Sequence, residues 1–194
     1  MKKLLIVPAV LVLLTTASAE SRLFLSIGAS YLRPADESYR LTYGNQAIYP
    51  EISGAIRLFS GLCLTASAAK FTKSGTTPQL ELDTRATQSY VSVGLGYLLR
   101  VSRMLCFEAG AGVAGLNFRE DALDGWIKGQ QRGFAADGAI LLAPEDERVF
   151  FGVRFGYVFA RVSDLSSDLT GPQPIKLGGA RVMVCVGIQL FGND

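Results

Sequence analysis

The sequence predicts an all-β fold: an eight-stranded antiparallel up-and-down transmembrane β-barrel preceded by a cleavable signal peptide. Three observations carry that expectation. Apolar residues alternate with small or polar ones along eight segments, and the connections between the segments are alternately long and short. The chain also opens on a basic, then apolar, then small-residue leader. Period-two alternation is the mark of a strand with two unlike faces, because successive side chains leave a strand on opposite sides.

In the leader, Lys2-Lys3 precede an apolar run from Leu4 to Leu14, then Thr15-Thr16 and Ala17-Ser18-Ala19 before Glu20. A basic n-region, a short h-region and an A-x-A site make up the layout of a secretory signal peptide. Eleven apolar residues interrupted by Pro8 are too few to hold a bilayer-spanning helix. The chain therefore divides into a signal peptide, 1–19, and an outer-membrane β-barrel domain, 20–194. After residue 19 no apolar run approaches the ~18 residues of a membrane helix, so any membrane crossing must be made by strands.

The alternation places strands at about 23–33, 48–59, 62–73, 84–99, 104–118, 131–143, 148–162 and 176–191. It is clearest in the fourth, where Val91, Val93, Leu95, Tyr97 and Leu99 share one face and Tyr90, Ser92, Gly94, Gly96 and Leu98 the other. The seventh sets Val149, Phe151, Val153, Phe155, Tyr157 and Phe159 against Gly152, Arg154 and Gly156. The eighth sets Val182, Val184, Val186, Ile188 and Leu190 against Arg181, Met183, Cys185, Gly187 and Gln189. Connections at 34–47, 74–83, 119–130 and 163–175 are long, whereas Ser60-Gly61, Arg100 to Arg103 and Pro144 to Glu147 are short. Short turns on one side and long loops on the other are the build of a transmembrane barrel.

A soluble ligand-carrying barrel also has eight antiparallel strands, and the composition of the two faces separates the cases. The face opposite the bulky apolar one is mostly Gly, Ala and Ser with isolated charges: Glu51, Arg57, Glu108, Asp137, Arg154 and Arg181. A cramped lumen accommodates three acids and three bases that neutralise one another, since a guanidinium fork matches a carboxylate. Facing lipid, an Arg would cost about 2–4 kcal/mol near the midplane. The apolar band therefore faces outward.

At this point the chain resembles the small eight-stranded outer-membrane barrels of the OmpA transmembrane domain and OmpX type. The resemblance covers 20–194 and rests on pattern. It implies a lumen filled by an ion-pair network, with the six charged residues above as its members, and no wide pore. That group usually ends its last strand on an aromatic residue at the chain end; here Gly192-Asn193-Asp194 follow Phe191, and Leu190 has the lipid-facing parity.

Composition removes whole mechanisms. The 194 residues include no histidine, which excludes His-based nucleophilic sites and His-ligated zinc or haem. Without Lys2 and Lys3, basic and acidic residues balance at 17 each, which leaves no electrostatic case for nucleic acid. Gly110-Ala111-Gly112-Val113-Ala114-Gly115 matches G-x-G-x-x-G, but a dinucleotide site needs a following helix, and here the glycines fall inside an alternating strand. Cys63, Cys106 and Cys185 share lumen parity, and an odd number cannot all pair within one chain. The acids Glu120, Asp121 and Asp124 lack EF-hand spacing. No cofactor or metal site is expected.

The functional surface is accordingly expected on the four long connections, with Tyr39, Tyr43, Asn45 and Trp126 as contact candidates. Basic residues near their ends are Arg33, Arg40, Lys70, Lys73, Arg85, Arg119, Lys128, Arg132, Arg161 and Lys176. These suit the phosphates of outer-membrane lipids, lipopolysaccharide included; ordinary mixed-charge loops account for them equally well. The leading reading is a non-enzymatic outer-membrane barrel with a structural or surface-interaction role. The alternatives are a soluble periplasmic lipid-binding barrel, or a lipid-modifying enzyme with Asp164 and Asp168 as its candidate acids.

Overall fold

The computed structural model describes residues 23–77, 82–122, 125–145, 147–160, 165–167, 175–176 and 178–190. The leader 1–19, Asp124, Arg161, Asp164, Asp168 and Phe191 lie outside the described residues.

Eight long strands close into a barrel. They are β1 (Leu23–Pro34), β2 (Ala47–Phe59), β3 (Leu62–Thr76), β4 (Asp83–Arg100), β5 (Leu105–Ala122), β6 (Gly125–Leu142), β7 (Val149–Phe159) and β9 (Gly178–Leu190). A three-residue strand, β8 (Leu165–Ser167), precedes β9, and a helix, α1 (Glu37–Tyr43), lies between β1 and β2. Every sequential pair from β1 to β7 is antiparallel, and β9 closes the wall by pairing with both β7 and β1. Closure leaves the wall without a free edge, the condition for a sheet to sit in lipid with its backbone groups satisfied.

The alternation sorts the side chains as expected. On β4, Val91, Val93, Leu95, Tyr97 and Leu99 are exposed and Tyr90, Ser92 and Leu98 are buried. Eight residue steps from Val91 to Leu99 cover about 26 Å of strand, or about 20 Å along the axis at a tilt near 40°, comparable to the ~25 Å apolar band of such barrels. Beyond the band the outward residues turn polar in register: Lys70 faces Ser89, Ser89 faces Asn117, and Asn117 faces Gln130.

Turn chemistry accounts for one short end. Ser60 and Gly61 both have positive φ, 43° and 88°, as a two-residue hairpin between right-twisted strands requires. The G-x-G-x-x-G run lies within β5. A Cβ on Gly112 would sit 2.5 Å from the Cα of Gly94 across the ladder, so the motif lets two backbones approach inside a narrow lumen.

Three elements differ from expectation. The connection 34–47 contains α1, because Asp36 caps it by accepting from the Tyr39 N–H at 2.9 Å and Gly44 ends it at φ 84°. The expected connection 119–130 is mostly strand: β5 and β6 stay paired to Ala122 and Gly125, which puts Trp126 opposite Asp121 inside the ladder. In the connection 163–175, β8 pairs with Ile127 to Gly129 on β6. Together β3 to β6 project past the apolar band as a sheet.

The outward face is expected to obey lipid solvation. Leu95→Arg in mid-band should destabilise the barrel by about 2–4 kcal/mol, while Ser89→Arg beyond the band should cost about 0–1 kcal/mol. Urea unfolding in lipid vesicles distinguishes the two.

Candidate functional site: the lumen and its mouth

An eight-stranded barrel has an interior just wide enough for side chains. Here that interior is layered along the axis. Toward the short turns, Phe24, Cys63, Leu98, Cys106, Leu141 and Phe150 pack into an apolar plug, with Phe24 and Phe150 edge to face at 5.8 Å. Toward the long connections, Leu32, Tyr39, Tyr43, Tyr49, Tyr90, Leu116, Phe118 and Val158 form a second.

Between the plugs lies a charged belt. Arg181 on β9 donates to Glu51 on β2 in one direction and to Asp137 on β6 in the other. Its guanidinium also lies 4.9 Å from the Tyr90 ring centre, a favourable cation–π geometry. The second oxygen of Glu51 accepts from Ser30 at 2.6 Å. Arg154 on β7 grips Glu108 on β5 with two hydrogen bonds, at 2.8 and 3.1 Å. Each arginine thus bridges strands two places away, tying together parts of the wall that share no ladder. Gly156 makes room for this, because a Cβ there would fall 2.3 Å from Asp137 Oδ1. Small hydroxyls complete the belt through Ser26–Ser53 and Ser67–Ser92 contacts at 2.7 and 2.8 Å.

Five of the six sequence-derived lumen charges meet in these two groups. The sixth, Arg57, makes no ion pair among the described residues; it lies at the register shift between Arg57 and Phe59 near the β2 end. Ser30 and Tyr90 were not singled out from the sequence, although both carry the same lumen parity. The three cysteines are buried and none is in a disulfide.

At the mouth, the contact candidates separate. Tyr39 and Tyr43 are 5% and 4% exposed, which corrects their expected place at the surface: one turn apart on α1, both point into the barrel. Their rings lie 4.6 Å apart, and Phe118 meets Tyr39 at 6.5 Å. The Tyr43 hydroxyl donates to Glu120 at 2.6 Å and contacts Thr84, which also reaches Glu120 at 3.0 Å. Asp36 ties the helix to the last long connection by accepting from the Lys176 N–H at 3.0 Å. Asn45 remains exposed. Trp126 is partly covered, with Lys128 Nζ 4.6 Å over its ring. Glu120 and Asp121 leave β5 on opposite faces, one toward Tyr43 and the other toward Arg119 at 2.9 Å, so they do not converge on an ion.

A closed wall, an apolar exterior and a paired-charge interior are the build of a barrel that lipid can solvate. The fold is that of a small outer-membrane barrel. Among solved structures the chain is similar to Ail, the attachment invasion locus protein of Yersinia pestis, with TM-score 0.57 and 11% identity over 88% of this chain and 99% of that one. The same protein in complex with the heparin analogue sucrose octasulfate gives 0.58 at 11% identity, with the same shares covered. The N-terminal β-barrel domain of Pseudomonas aeruginosa OprF gives 0.51 at 12% identity, over 88% and 98%. No protein-family model and no curated protein sequence matches the chain.

Two outcomes follow from the lumen and its mouth. Arg181→Met strands Glu51 and Asp137 without a counter-charge and should cost about 3–5 kcal/mol; adding Glu51→Gln and Asp137→Asn should recover much of that, read by urea unfolding. Burial, before any other cause, pushes the Tyr39 hydroxyl up to about 12. Burial, followed by the hydrogen bond to Glu120, raises Tyr43 as well. The undocked helix ionises at the ordinary value near 10, so docking is fully stable below pH ~10 and loses stability as pH rises through the folded values. Proteolysis within 36–46 should therefore accelerate above pH ~10, and Tyr43→Phe should accelerate it at neutral pH.

Proposed function

We propose that this chain is a non-enzymatic integral outer-membrane β-barrel, exported by residues 1–19, that acts as a structural or surface-contact protein through the ends of its long connections. The observation that carries the reading is the pairing of faces: a continuous outward band including Leu25, Ile52, Val93, Phe151 and Val184 around an interior whose charges are neutralised in place. Water would leave that band unsolvated, whereas a bilayer solvates it.

The two ends of the barrel support unequal roles. The short turns present little surface. The opposite end presents the sheet built from β3 to β6 and the helix α1 locked over the mouth by Glu120, Thr84 and Asp36. Both lateral limits of that sheet are occupied: β8 pairs along β6, and α1 lies against β3, where a Cβ on Gly75 would meet the Thr42 carbonyl at 2.3 Å. Its broad outward face therefore provides the contact surface, and its basic side chains suit outer-leaflet phosphates, those of lipopolysaccharide included.

Semi-native gel mobility of the membrane fraction, with and without boiling, tests the placement. A band that shifts only on heating is expected of an inserted closed barrel. A soluble band without a shift would overturn the reading and turn the exposed band into a ligand-binding surface.

A further inference from the structure

On the outside of the barrel, the lipid-facing band is not uniform. Across β5 and β6 the outward positions in the middle of the band are Ala109, Ala111, Ala136 and Gly138, paired in register as Ala109–Gly138 and Ala111–Ala136. Tyr97 on β4 and Tyr157 on β7 rise at the two sides, Phe107 on β5 closes the end toward the short turns, and the Phe155 ring lies over Gly138, so Ala109 and Ala136 form the open floor. The result is an apolar groove of about 810 Å³, within the size range of clefts that hold a small ligand or a chain of one.

The second observation lies on the same two strands, farther out. Arg132 and Lys128 share the outward face of β6, and Arg119 of β5 stands directly opposite Lys128. All three are exposed. Lys70 and Arg85 extend the same outward face across β3 and β4, against Asp83 and Asp121 among the described residues; Asp121 is held by Arg119. Arg132 lies four and six residues from Ala136 and Gly138, about 13 and 20 Å along the strand at 3.3 Å per residue. At a tilt near 40° that is about 10–15 Å of depth, close to one leaflet of a ~30 Å hydrocarbon core.

A base cluster at the rim and a groove one leaflet deep below it form the two halves of an amphiphile's site. We propose that the outer face of the β5–β6 pair seats one phosphorylated glycolipid of the outer leaflet, with phosphates on Arg119, Lys128 and Arg132 and one acyl chain over Ala109 and Ala136, between Tyr97 on one side and Phe155 and Tyr157 on the other. The three bases are spread over about 13 Å of strand, which fits a headgroup with more than one phosphate better than a single phosphodiester. This site rests on the membrane placement proposed above, and goes beyond it by assigning the lipid a position and two recognition elements.

The test is native mass spectrometry of the full barrel in mild detergent, titrated with diphosphoryl lipid A. Each variant is first shown to keep its heat-shifted band, so loss of the barrel, or failure of the membrane reading, is seen separately from loss of the site. Wild type is expected to retain one lipid A. Arg119→Gln/Lys128→Gln/Arg132→Gln should weaken retention at least about tenfold, as expected for three bases lost at a membrane surface. Ala109→Leu/Ala136→Leu, which fills the groove, should also weaken it severalfold. Ala68→Leu, outward on β3 and away from the groove, should leave retention unchanged. Equal retention by the groove-filled variant, equal binding of dephosphorylated lipid A or of phosphatidylglycerol, or an equal loss with Ala68→Leu would each overturn the proposal.

Discussion

The whole structure depends on one constraint: charges enclosed by an eight-stranded wall must satisfy one another, because the lumen has room for side chains and little else. A lone buried arginine or carboxylate would be strongly destabilising. Arg181 resolves this by reaching Glu51 on one side and Asp137 on the other, and Arg154 by its paired bonds to Glu108. These bridges join strands that are not neighbours in the ladder, so they brace the cross-section as well as neutralise it. They also account for much of the small-residue composition of the inner face, since Gly156 and the serines leave the volume that the guanidinium groups occupy.

Two apolar plugs flank the belt, in which Glu51, Glu108 and Arg181 are buried and Asp137 is partly exposed. The inner plug is built from strand residues and Ala143 just past β6, whereas the outer one needs a part from outside the wall: α1 lowers Tyr39 and Tyr43 onto Phe118 and the rim. The hydrogen bonds from Tyr43 and Thr84 to Glu120 satisfy the Tyr43 and Thr84 hydroxyls, which the docked helix leaves below the surface. The mouth is thus closed by folded structure, and the same helix covers the side of β3 that extends past β2. With β8 along Ile127 to Gly129 of β6, part of each edge of the projecting sheet is covered, which limits pairing with other chains.

On the outside the rule is different. Large side chains are tolerated everywhere, and their spacing, rather than their burial, shapes the surface. Where β5 and β6 place Ala and Gly outward, the band hollows. The polar boundary appears at the same register on four strands, at Lys70, Ser89, Asn117 and Gln130, so the height of the apolar band is recorded in the pairing itself.

Much of this was legible in the chain alone. Period two, clearest along β4, β7 and β9 and read also along β2, β5 and β6, showed which side chains share a face, and with it the inward parity of Glu51, Glu108, Asp137, Arg154 and Arg181. Parity says which face a residue occupies but not its height, because strand stagger is a property of the closed sheet; hence Arg57 could be grouped with the others although it lies near a strand end beside a register shift. The helix had local signals, Asp36, the tyrosines four apart and Gly44, but seven residues are too few for an isolated helix to persist. Its stability, and the inward turn of Tyr39 and Tyr43, come from Phe118, Thr84 and Glu120, which are distant in sequence. By itself, then, the sequence determined the fold class, the strand faces and the sidedness of the connections, all of which follow from local alternation and spacing. Only the tertiary structure decided which charges meet, what closes the mouth and where the outer band is hollow, because each of these depends on the register in which separate strands align.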